Sequence, residues 1–113
     1  MKHPEMHIHN SIVDWLRWKL PKAVVHHSPN EFGMSGAAVK RQVAKHKRMG
    51  MLVGFPDLIV WFKGRLVGLE VKSAKGRQSD SQKDVQEAME YNGGEYHVVR
   101  SIDDVARIFE GQL

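Results

Sequence analysis

The chain contains no cysteine. Disulfides and thiolate zinc sites are therefore excluded, and a reducing cytoplasm is the expected setting. No apolar run approaches the roughly 20 residues that span a bilayer, so no membrane partner is expected. The start, Met1-Lys2-His3-Pro4-Glu5, lacks the apolar stretch of a signal peptide. Internal repeats, low-complexity segments and linkers are also lacking, as is any motif for a small-molecule cofactor. With 113 residues, there is room for a single domain and one hydrophobic core.

The excess of charge is positive but modest. Seventeen Lys and Arg oppose thirteen Asp and Glu, giving a net charge of +4 and a pI near 9.5. That balance suits an anionic partner, nucleic acid first, although many small proteins carry as much.

Periodicity supplies the elements. Ile8, Ile12, Trp15, Leu16 and Leu20 recur at helical spacing over residues 5–20, between Pro4 and Pro21. Trp15 lies on this stripe and Trp18 lies off it. A short β-like run follows at 23–27, then a loop at 28–36 marked by Pro29, Asn30, Gly33 and Gly36. A basic helix is expected at 37–48, with Gly50 beyond its end. Residues 58–62, Leu-Ile-Val-Trp-Phe, read as a strand. Lys63-Gly64-Arg65 reads as a turn and 66–71 as the returning strand. Runs this apolar suggest strands covered on both faces. A helix at 80–92 with Val85, Ala88 and Met89 inward, a strand at 95–100 and a short helix after Ser101 complete the chain. Asp104 stands at the third position after Ser101, a capping-box pattern. The predicted architecture is α/β, a mixed sheet flanked by helices in the order α-β-α-β-β-α-β-α.

The hairpin carries the chemistry. In an antiparallel pair the start of one strand lies beside the end of the next, so Asp57 should meet Glu70-Val71-Lys72 at the open end. Glu70 and Lys72 alternate onto the same face. Two carboxylates repel unless a cation stands between them, and oxygen ligands suit Mg²⁺ or Mn²⁺. A surface salt bridge explains the same three residues, so the cluster alone leaves both readings open.

Pro56-Asp57, followed thirteen positions later by Glu70-Val71-Lys72, resembles the PD-(D/E)xK nuclease signature. Further positions are similar to the virus-type replication-repair nuclease (VRR-NUC) family: Glu5, Asn30-Glu31, Gly50, Gly54-Phe55 before the signature, Gln82, and Tyr96 to Ser101. The resemblance spans nearly the whole chain. It implies a restriction-endonuclease-like core and metal-dependent hydrolysis of phosphodiesters. Carried over by position, Asp57 and Glu70 are metal ligands with the backbone carbonyl of Val71, and Lys72 is the catalytic lysine. Glu5 supports the metal through water, and Gln82 stands beside the lysine. One departure is His9, where the family commonly has Gln. The resemblance also implies DNA as partner, branched DNA or a Holliday junction in replication or repair as substrate class, a homodimer, and a bacterial or phage origin. A non-catalytic nucleic-acid-binding module on the same fold is the alternative.

The remaining candidates have competing explanations. Ser79-Asp80-Ser81-Gln82 is itself a capping box, and Glu5 in a first helical turn suits the helix dipole. His26-His27, Asn30 and His46 superficially resemble an HNH nuclease, but the spacing is too short. His3, His7 and His9 are expected around a fraying terminus. Lys40, Arg41, Lys45, Lys75 and Arg77 are candidate phosphate contacts, with Asn30 and Ser35 on a loop that could overhang the site. A solvated face accounts for the basic residues equally well.

Overall fold

Lys63 and Gly64 set the register of the sheet. Both adopt positive φ, 48° and 81°, the left-handed pair that closes a two-residue hairpin with the twist its strands need. The strands are β2 (Leu58–Phe62) and β3 (Arg65–Val71), with pairing that runs from Phe62–Arg65 to Leu58–Leu69. Arg65 was expected in the turn. It belongs to the strand because two left-handed residues already complete the reversal. Its guanidinium donates two 2.7 Å hydrogen bonds to Glu95, tying the hairpin to the last strand.

The computed structural model describes residues 4–29 and 37–113. β1 (Val24–His27) pairs antiparallel with β2, and β4 (Glu95–Val99) pairs parallel with β3. The result is a four-stranded mixed sheet in the order β1-β2-β3-β4. The helices are α1 (Pro4–Lys19), α2 (Ala37–Arg48), α3 (Asp80–Tyr91) and α4 (Ile102–Ile108). The observed order is the expected α-β-α-β-β-α-β-α. None of these helices is long and apolar enough to cross a membrane.

One sheet face carries the core. Ile12, Leu16 and Leu20 from the α1 side, with Val105 and Phe109 from the α4 end, pack on Leu58, Val60, Val67, Leu69 and Val99. Fully burying each such side chain stabilises the fold by about 1.5–3 kcal/mol. Trp15 packs on this core while Trp18 is exposed beneath the Lys19 ammonium, as their places on the stripe require.

The other face is divided. α3 covers β3 and β4 through Val85 and Met89, and β3 is buried without interruption from Val67 to Val71. At Gly68 an added Cβ would stand 2.6 Å from Pro56 Cγ, so only glycine lets that proline seat on the sheet. β2 lacks such cover, and Trp61 is 58% exposed. Among the described residues, β2 is therefore buried on one face and only partly covered on the other.

Two local expectations change. Ala88 is exposed because the phase of α3 turns Val85 and Met89 inward and leaves Ala88 on the flank. Ser101 caps α4 by accepting from the Asp104 N–H, but Asp104 accepts from the Arg100 N–H, so the box is not reciprocated. α2 buries none of its residues, in keeping with its many charges.

Phe109→Ala should cost about 3–5 kcal/mol in denaturant unfolding. Trp61→Thr should change stability by no more than about 0.5 kcal/mol.

Candidate active site

Asp57 stands one step beyond the Leu58–Leu69 pair, where β2 begins and β3 ends. Its backbone carbonyl accepts from the Ser28 N–H, and its Oδ2 accepts from the Val71 N–H at 2.8 Å. The aspartate is thus fastened to both neighbouring segments of the sheet. Glu70 and Lys72 project from alternate positions of one segment, with Lys72 Nζ 3.6 Å from Glu70 Oε2.

Gln82 reaches this pair from the first turn of α3. Its Nε2 donates to Glu70 Oε2 at 3.0 Å, while its Oε1 accepts from the Ser79 N–H at 2.8 Å. Ser79 Oγ accepts from the Gln82 N–H in return, which completes the capping box. The two explanations of Gln82 are therefore compatible. One end of the amide caps the helix and the other grips the carboxylate.

Glu70 is only 4% exposed and is the one buried charged residue among those described. Burial, and then the charge of Asp57, push its carboxyl up from 4.5 to about 8, against a smaller opposing pull from Lys72. Its Oε1 is buried and finds no hydrogen-bond partner among the described residues. An unpartnered carboxylate oxygen beside a second carboxylate is costly unless it is protonated or holds a cation. These donors fit a hard divalent ion. Among the described residues there is no ready cage of three or more acidic or imidazole side chains. The set is two carboxylates with backbone beside them.

These groups open into a cleft of about 1080 Å³ that Asp57, Glu70, Val71, Lys72, Gln82 and Glu5 all line. Helix α1 brings Glu5 across the end of the sheet, where its Oε2 accepts from the Ser73 N–H at 3.3 Å. The 73–77 loop, which bears the exposed Lys75 and Arg77, is thereby held beside the end of β3. Lys40, Arg41 and Lys45 are exposed on α2, outside the residues lining the cleft. Asn30 and Ser35 lie outside the described residues, as do Glu31 and His3.

Sequence reasoning left four contributors without a role in the site. His9 was expected near a fraying end, yet it is half-buried in α1 and lines the cleft with His27, their rings edge to face at 4.9 Å. Burial, then His27, lowers its pKa. Arg100 donates to the carbonyls of Ser73 and Gly76 and so clamps the 73–77 loop. Tyr96 donates to the Gly54 carbonyl at 3.2 Å, and burial followed by the charge of Glu70 raises its pKa. Gly54 adopts φ 93°, and an added Cβ would meet Ser81 backbone at 2.5 Å and Gln82 N at 2.7 Å. Of these, Gly54, Tyr96 and Arg100 stood in the sequence only as family-like positions, and His9 only as a departure from the family.

A family model described as the VRR-NUC domain matches residues 3–103. Among solved structures, one described as a VRR_NUC domain protein is 24% identical with a TM-score of 0.72, over 95% of this chain and 85% of that one. Another, described as a VRR_NUC domain, is 20% identical with a TM-score of 0.63, over 97% and 98%. No curated protein matches. At these identities the structures show a shared fold.

The raised carboxyl makes stability depend on pH. Between 4.5 and about 8, folded Glu70 keeps a proton that the unfolded chain releases. Its contribution is complete below 4.5 and is lost as pH climbs through about 8. With divalent cations chelated, the stability of wild type relative to Glu70→Gln should fall across that window in guanidinium titrations. Gly54→Ala should lower the midpoint of guanidinium unfolding, because the added Cβ would meet the Ser81 and Gln82 backbone.

Proposed function

The chain belongs to the VRR-NUC family, nuclease-type domains of the PD-(D/E)xK superfamily, and we propose that it is a metal-dependent DNA endonuclease built on Asp57, Glu70 and Lys72. The observation that carries this reading is the buried Glu70 carboxylate, one oxygen unpartnered, set between Asp57 and Lys72.

Asp57 and Glu70 would hold Mg²⁺ or Mn²⁺, with the Val71 carbonyl as a third ligand and Glu5 supporting it through water. When bound, the ion supplies Lewis-acid charge that steadies the attacked phosphate and acidifies the attacking water. Lys72 Nζ orients that water and takes part in its deprotonation. Gln82 holds Glu70 in place by donating to the oxygen that also faces Lys72. The Asp57 contact to the Val71 N–H keeps the two ligand-bearing strands together.

Lys75 and Arg77 contact phosphates next to the scissile bond, because their loop leaves the catalytic strand directly. Lys40, Arg41 and Lys45 on α2 extend the basic surface, and Asn30 and Ser35 touch the backbone or orient the substrate. The substrate class is branched DNA, including four-way junctions, and a homodimer would present two sites for paired cuts. The setting is the cytoplasm of a bacterium or a phage-infected host.

Nicking of supercoiled plasmid should require Mg²⁺ or Mn²⁺ and stop with EDTA. Asp57→Asn and Lys72→Met should each lower the rate by at least about 100-fold. Mn²⁺ should raise the melting temperature of wild type and not of Asp57→Asn. Wild-type cleavage by either variant would overturn the mechanism. DNA binding without cleavage under any metal would favour the non-catalytic module.

A further inference from the structure

A second concavity, about 450 Å³, lies between the 51–54 loop and the flank of α3. Leu52 and Val53 form one wall, Ala88 and Met89 the other, and Leu66 and Val85 complete its apolar lining. Leu52, Val53 and Leu66 are 56%, 44% and 41% exposed, a cluster of apolar surface rather than scattered residues. The volume falls in the range of small-ligand pockets.

The groove adjoins the cleft, and Val53 and Ser81 line both. The junction between them is held on both sides. Gly54 presses against Ser81 and Gln82 as only a glycine can, and Tyr96 grips its carbonyl. A polynucleotide held in the cleft therefore has a fixed apolar channel beside it.

The chemistry of the groove selects which part of a nucleic acid enters. No lysine or arginine lines it, and its one charged residue is Asp84. Phosphate is repelled there. A planar base is not, because its weakly hydrated faces can pack on aliphatic walls. Among the described residues the Asp84 carboxylate makes no hydrogen bond or ion pair, which leaves it to accept from an exocyclic amino group.

We propose that this groove binds an unpaired nucleobase of the substrate strand next to the cleavage site, and favours bases that carry an amino group. The assignment rests on the nuclease reading above. It makes the groove the element that distinguishes a strand with unpaired bases from an uninterrupted duplex.

The test uses the full chain with Ca²⁺ in place of Mg²⁺, so that DNA is bound under non-cleaving conditions. Probes are a blunt duplex and the same duplex with a four-nucleotide dC or dT overhang. Wild type should bind the dC overhang about tenfold more tightly than the blunt duplex, and about fivefold more tightly than the dT overhang. Ala88→Phe, which fills the groove without changing charge, and Leu52→Ser, which removes a wall, should abolish the overhang preference. Both should leave blunt-duplex affinity and Mn²⁺-dependent plasmid nicking unchanged. Asp84→Ala should equalise dC and dT. 2-Aminopurine at one overhang position should change its fluorescence on binding wild type and not Ala88→Phe.

Equal affinity for blunt and overhang DNA, with nicking intact, would overturn this inference alone. So would a preference that survives Ala88→Phe. If Ala88→Phe instead splits a dimer into monomers in sedimentation, a second copy occupies the groove and the proposal falls. Absence of both nicking and DNA binding would remove the nuclease reading along with it.

Discussion

A carboxylate almost out of water is the constraint on which the site depends. Leaving Glu70 ionised and unpartnered would be expensive in a setting of low dielectric. The surroundings reduce that cost in three ways. Gln82 donates to one oxygen, Lys72 places an ammonium 3.6 Å away, and the shifted pKa allows a proton to remain. Asp57 works against these, since a second negative charge raises the cost again. Two mutually repelling carboxylates kept side by side by rigid backbone form an arrangement best completed by a cation.

That rigidity comes from the sheet. β3 is buried along five consecutive residues, so neither Glu70 nor Val71 can relax toward solvent without disrupting the core. The Asp57 link to the Val71 N–H replaces a rung of the hairpin with a side-chain contact. Around this frame the mobile-looking parts of the sequence are fastened individually. Glu5 and Arg100 hold the 73–77 loop, and Tyr96 and α3 hold Gly54. The unequal cover of the sheet has a matching consequence. One face is sealed by α1 and α4, and the other carries the end of the cleft, the groove beside α3 and the exposed Trp61.

Much of this was legible beforehand. The stripe Ile12-Leu16-Leu20 is buried as its spacing required, and the hairpin brings Asp57 to Glu70 because alternation and antiparallel pairing leave no other geometry. Errors arose where a choice depended on distant neighbours. Trp61 belongs to a run that looks doubly buried, yet nothing described covers its outer side. Ala88 has the right residue type for the core but the wrong phase for the surface it meets. His9 is one residue from a core position, and only the approach of β1 places its ring against His27.

The sequence by itself determined the order of elements, a turn around Gly64, the N-terminal cap of α3 and the identity of the Asp57, Glu70 and Lys72 cluster. These follow from local sterics and from the two periodicities of helix and strand, which act within a few residues. Only the tertiary structure decided whether the carboxylate of that cluster was solvated or buried. Burial depends on what α1, α3 and the 51–54 loop bring over the end of the sheet. A charge's cost is set by that enclosure, and no local pattern encodes it.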